Sequence, residues 1–199
     1  MSPQDKIIHV ANKLGLSTLK DMQGSTGAVY DADVEASGIL FGRSAQHNSP
    51  NVTNLNDNRF EVNEALLIET IAVYTCTANG LDVQNMQTTL GSAAVVLMDV
   101  VIGNKTVIKD APIFAAGQPS TFASIGLQYN SDDQANLFLP RHQIFMEGAG
   151  ILIPPQVDFY INYKIYNVYT GEILPLPSET FLGAYLFGTK VNLNFNTSL

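Results

Sequence analysis

The sequence predicts an all-β sandwich led by a short helical arm, and three observations predict it. The first is the stretch from Glu147 to Tyr166. An apolar run, Ile151-Leu152-Ile153, stops at Pro154-Pro155, and alternation then resumes as Val157, Phe159, Ile161, Tyr163 and Ile165. Successive strand side chains point to opposite faces. One face is therefore apolar, and the other carries Asp158, Tyr160, Asn162, Lys164 and Tyr166. A double proline cannot donate to a ladder, so it belongs at a strand edge or corner. The second observation is a change from helical to two-residue periodicity near Thr26. The third is a series of about ten strand-like runs with turn signals between them, interrupted by long connections at residues 43–58 and 78–91. Such connections fit Greek-key crossings rather than an up-and-down barrel, which makes a single jelly roll the expected architecture. The expected organisation is a helical arm at 1–25, a jelly-roll β-sandwich at 26–191 and an extended tail at 192–199.

Each element has a local reason. Ser2 can cap a helix, Pro3 suits its first turn, and Asp5 stands where a capping box places an acid. Ile7, Val10, Ala11 and Leu14 keep helical spacing, and Gly15 is a stop. A second short helix is expected from Ser17 through Leu19 and Met22, ended by Gly24. Ala28-Val29-Tyr30 and Gly38-Ile39-Leu40-Phe41 are short strands. Residues 47–58, HNSPNVTNLNDN, are a turn-rich loop. Arg59–Val62 is a short element before a long run, Ala65–Thr77, whose β-branched tail marks it as a strand. Ala93–Val101 and the run to Ile108 flank Gly103-Asn104, a two-residue hairpin signal, and Pro112 is expected to end that hairpin. Strands follow at Thr121–Tyr129, Leu137–Leu139 and Gln143–Met146, with a turn at Asn130–Asp133. The final strand runs from Thr180 to about Val191, with Gly183 and Gly188 as bends or bulges. In the tail, Leu193 and Phe195 alternate with asparagine, a pattern suited to strand addition on a neighbour.

Composition narrows the function. The chain has 199 residues, of which 46% are hydrophobic and only 14% charged, well below the usual quarter. That deficit fits a protein covered by other subunits, although a surface rich in Asn, Gln, Ser and Thr also accommodates it. Net charge is −8 with ten basic residues and no basic cluster. Tight nucleic-acid binding by the main domain is therefore not expected. The N-terminus lacks the charged start and apolar core of a signal peptide, so synthesis in the cytoplasm is expected, and the sequons at Asn51, Asn104 and Asn196 carry no glycosylation meaning.

The residue types that carry catalytic chemistry are few and scattered along the sequence. The one cysteine, Cys76, lies in a strand-like run and reads as a buried structural thiol. His9, His47 and His142 form no HxH or HExxH pair, so no metal site or cofactor is expected. Glu61/Glu64 and Asp132/Asp133 are the paired acids. The first pair flanks a strand start and the second sits in a turn, where Asp favours local hydrogen bonds. No phosphate-binding glycine motif is present, and Gly38–Ser44 has no partner motif. Tyr160 and Tyr166 share one strand face and Tyr163 and Tyr169 the other, so they make no single carbohydrate-binding stripe. An enzyme is not expected.

Three segments then resemble a known family: Asn58–Thr75 (NRFEVNEALLIETIAVYT), Val100–Ile108 (VVIGNKTVI) and Gly150–Tyr166 (GILIPPQVDFYINYKIY). The Pro-Pro corner before a long strand, hydrophobic-Pro-Pro-polar-x-Asp-Phe, is similar to that of jelly-roll capsid proteins of small tailless icosahedral phages. The resemblance implies a virion structural protein, a capsid subunit whose self-assembly makes it a homo-oligomer alongside other virion proteins. It carries over no catalytic residue. The candidate interface comprises Lys6, Ile7, Val10, Lys13 and Leu14 on the arm and Leu193 and Phe195 on the tail. The arm's partner is a neighbouring subunit, its own sandwich or an interior membrane surface. The alternative is a trimeric receptor- or carbohydrate-binding jelly roll, a spike or fibre head.

Overall fold

The computed structural model describes residues 2–16, 22–33, 37–42, 53–55, 57–77, 83–84, 86–115, 143–146 and 150–193. The expected strands at 121–129 and 137–139, the turn at 130–133, and Phe195 lie outside the described residues.

The first helix, α1 (Pro3–Leu14), has both expected caps. The Asp5 amide donates to Ser2 Oγ at 3.2 Å, and the Ser2 amide donates back to Asp5 Oδ2 at 3.0 Å. Together they satisfy donors that a helix start leaves open. Gly15 closes the helix in the left-handed region at φ 71°. Of the expected second helix, residues 17–21 lie outside the described residues, and Met22–Gly24 is not helical. Those residues open a twelve-residue strand, β1 (Met22–Asp33), whose full length pairs with the last strand. Cross-strand hydrogen bonding outweighs a short local pattern there. A further short helix, α2 (Met86–Leu90), occupies the second long connection.

Two antiparallel sheets form a β-sandwich. In the first, β1 pairs with β10 (Thr180–Leu193), and β10 pairs with β3 (Glu64–Thr77). Three short strands share the far edge of β3 end to end. These are β8 (Ile151–Ile153) against 66–68, β7 (Gln143–Phe145) against 70–72 and β4 (Val83–Gln84) against 75–76. The second sheet runs β2 (Ser37–Leu40), β9 (Phe159–Asn167), β5 (Ala94–Ile102), β6 (Lys105–Phe114). β10 ends at Leu193, two residues beyond the expected boundary. Arg59–Val62 forms bends and a turn rather than a strand.

Pro154-Pro155 is the corner where the chain leaves one sheet for the other, since β8 pairs with β3 and β9 with β2 and β5. Gln156 holds that corner at φ 58°, and its side-chain amide donates to the Phe60 carbonyl at 3.0 Å. β9 then begins at Phe159, so Val157 belongs to the corner. Phe159, Ile161 and Ile165 are 1%, 0% and 0% exposed, each worth about 1.5–3 kcal/mol of burial. They meet Ile68 and Ile71 of β3, Leu182 and Leu186 of β10 and Val96 of β5 in one core between the sheets. Asp31 is buried on the same side of β1, where one carboxylate oxygen accepts the Phe41 amide at 2.6 Å.

Irregularities sit where the chain accommodates an exception. Gly103 takes a positive φ of 58° at the first position of the β5–β6 turn, where a type II′ hairpin requires glycine. Pro112 does not end that hairpin but stands inside β6 opposite Leu97. It is tolerated because β6 stands at the edge of the sheet among the described strands, with β5 as its neighbour. Beside it the register shifts. Asp110 adopts φ 49°, and its amide donates to Asp99 Oδ1 at 2.7 Å. On β3 the buried positions run 66, 68 and then 71, 73, because the register with β10 jumps from Thr70↔Phe187 to Ile68↔Gly188. Glu69 is the extra residue of that bulge.

Candidate interaction surfaces

The arm lies on the outer face of the first sheet. Val10, fully buried, packs with Ala65 and Leu67 of β3 and Val191 and Leu193 of β10, and Leu14 and Met22 join at the margin. Ile7 lies over Gly24 of β1, where a Cβ would come within 2.9 Å of its side chain. Lys6 forms an ion pair with Glu69, the bulge residue. Both groups are partly exposed, so the pair contributes only about 0–1 kcal/mol. Lys13 remains exposed near the helix C-terminus. Of the candidate interface residues, Lys6, Ile7, Val10, Leu14 and Leu193 thus come together on the chain's own sandwich. Among the described residues, His9 Nε2 is buried with no hydrogen-bond partner.

Beyond the arm, the outer face of the first sheet carries aromatic rings. Tyr30 and Tyr185 face each other across β1 and β10, with ring centroids 5.4 Å apart. Tyr74 stands 4.8 Å from Tyr185, and Phe187 5.4 Å from it. The Tyr74 ring occupies the space a side chain on Gly183 would need. Burial pushes the phenol of Tyr74 well above its ordinary 10.0, reinforced by Tyr185, Cys76, Asp31 and Tyr30. Burial, then Tyr30 and Cys76, raises Tyr185 as well. Sequence reasoning missed this cluster because its members lie on β1, β3 and β10 and meet only through strand register. The tyrosines that were singled out are dispersed: Tyr163 is core, Tyr160 and Tyr166 face outward from the second sheet, and Tyr169 is 86% exposed in the turn after β9.

The outer face of the second sheet is largely apolar, with Val95 and Val101 buried at 7% and 6% exposure and the accessible apolar side chains toward its margins. Val95, Leu97 and Val101 of β5 stand opposite Tyr166, Lys164 and Tyr160 of β9, with Asp99 opposite Asn162. Ile39, Phe114 and Ile173 extend the face at 47%, 37% and 52% exposure. Their partners Asn162, Val95 and Tyr166 put them on it. Val168 and Tyr169 are exposed in the turn that follows β9. Five of the seven exposed large hydrophobic side chains among the described residues therefore belong to this face or its adjoining turn. Patches of this kind mark interaction sites more often than they occur on isolated monomers.

Other candidate chemistry lies elsewhere. Cys76 is 2% exposed, and burial raises its thiol pKa, which disfavours the thiolate. Glu64 pairs with Lys190 at 2.9 Å, and Glu61 is exposed. His47, His142, Asp132 and Asp133 lie outside the described residues. Among the described residues, no three His, Cys, Asp or Glu side chains gather as metal ligands, and no helix is long and apolar enough to cross a membrane. No protein-family model matches the chain, and comparison with curated proteins and with solved structures gave no match.

Proposed function

We propose that the chain is a jelly-roll subunit that assembles with copies of itself into a virion shell. The strand order supports the jelly roll. Among the described residues, with the short strands β4 and β7 set aside, eight strands remain, and they pair first with last, second with seventh, third with sixth and fourth with fifth. Such nesting describes one antiparallel ribbon wound into two sheets. Fold alone does not give function. The observation that carries the assembly reading is the largely apolar outer face of the second sheet, on a chain with only 14% charged residues. A net charge of −8 fits a subunit that contacts protein rather than genome. A receptor- or carbohydrate-binding head is favoured only by the aromatic cluster of the first sheet, whose rings pack on one another.

Electron microscopy and light scattering of the purified chain test this reading. Closed shells or large regular oligomers are expected. Discrete trimers would favour the receptor-binding head, and a monomer at every concentration would overturn self-assembly.

A further inference from the structure

We propose that the outer face of the second sheet is a two-fold contact between copies, closed by reciprocal pairing of Lys164 with Asp99. The inference rests on the self-assembly reading and deepens it by naming the surface and its geometry.

The charges on the face identify the occupant. Among its positions on β5 and β9, the charged side chains are Asp99 and Lys164, on adjacent strands and one cross-strand row apart. The other positions are Val95, Leu97, Val101, Tyr160, Tyr166 and the neutral Asn162. One cation and one anion leave these two strands with no net charge on that side. A strongly basic or acidic partner would leave one of these charges against its like. A second copy turned by a two-fold axis presents each charge with its opposite, since in an isologous contact residue i meets j while j meets i. The overall charge of −8 repels copies from each other, so the contact must form where that repulsion is locally cancelled.

The adjoining turn is built to hold its shape. The side-chain oxygen of Asn167 accepts the amides of Tyr169 at 2.9 Å and Thr170 at 3.4 Å. The Gly171 amide returns to the Asn167 carbonyl at 2.8 Å, with Gly171 at φ 71°. Tyr169 is thus presented from an ordered turn rather than a loose loop, which lowers the entropy lost when it is buried by a partner. Rigid, exposed aromatic residues are typical interface anchors.

The test uses the full chain. Zero-length carbodiimide cross-linking of a mixture of unlabelled and ¹⁵N-labelled protein is expected to join Lys164 of one copy to Asp99 of another. The mixed-isotope peptide distinguishes that link from one within a copy. Sedimentation is expected to show association at least tenfold weaker for Lys164→Glu, with the circular dichroism of the parent, and close to parental for Lys164→Gln paired with Asp99→Asn. Undiminished association of Lys164→Glu would overturn the two-fold contact while leaving self-assembly intact. A parent chain that stays monomeric would overturn both.

Discussion

Gly188 crosses the carbonyl of Leu67 so closely that a Cβ on it would overlap that oxygen. The contact lies beside the β3 bulge, where β10 must approach the backbone of β3 to keep pairing on both sides of Glu69. No side-chain rotation relieves a clash with backbone. Gly188→Ala is expected to destabilise the fold by roughly 3–5 kcal/mol, measured by urea unfolding. Gly183→Ala meets the Tyr74 ring instead, which can swing away, and should cost distinctly less. Equal effects would show that the bulge carries no such constraint.

The arm should undock without unfolding the sandwich. Its apolar cluster is separate from the core between the sheets, and α1 alone is too short to persist in water. Val10→Asp is expected to abolish amide protection across residues 3–14 in hydrogen exchange while β5 and β9 keep theirs. Protection lost uniformly through the chain would make the arm part of the cooperative core. Acid acts on the same element. The hydrogen bonds of Ser2 hold the Asp5 carboxyl below its ordinary 3.8. The capping contribution is therefore complete above that value and fades as pH falls through the lowered one.

The aromatic cluster predicts alkaline sensitivity. Tyr74 titrates well above 10.0 in the folded chain and near that value when unfolded. The raised folded pKa means its stabilising share is fully present below about pH 10 and is lost as pH rises further. Unfolding followed by circular dichroism should coincide with phenolate absorbance, and Tyr74→Phe should move the transition to higher pH. Unchanged alkaline stability in that variant would remove Tyr74 as the responsible group.

Much of the fold was legible because it is written in neighbouring residues. The Ser2–Asp5 box and Gly15 bound α1, Gly103 sets the β5–β6 turn, and the alternation from Phe159 to Ile165 assigns the core face of β9. Dihedral preference and side-chain period act over a few residues, so the sequence by itself determined these elements and the Pro154-Pro155 corner. Tertiary structure decided what depends on partners far along the chain. Met22–Gly24 became strand because β10 lies alongside, and Pro112 stayed in a strand because β6 stands at the edge among the described strands. The bulge at Glu69 follows from register with Gly188, and it turns a carboxylate toward Lys6. The same holds for the candidate surfaces. On β9 alone, Tyr160, Asn162, Lys164 and Tyr166 read as a largely polar face. Beside Val95, Leu97 and Val101 of β5 they complete a largely apolar one, because a sheet face is composed across strands and hydrogen-bond register, not local sequence, sets its neighbours.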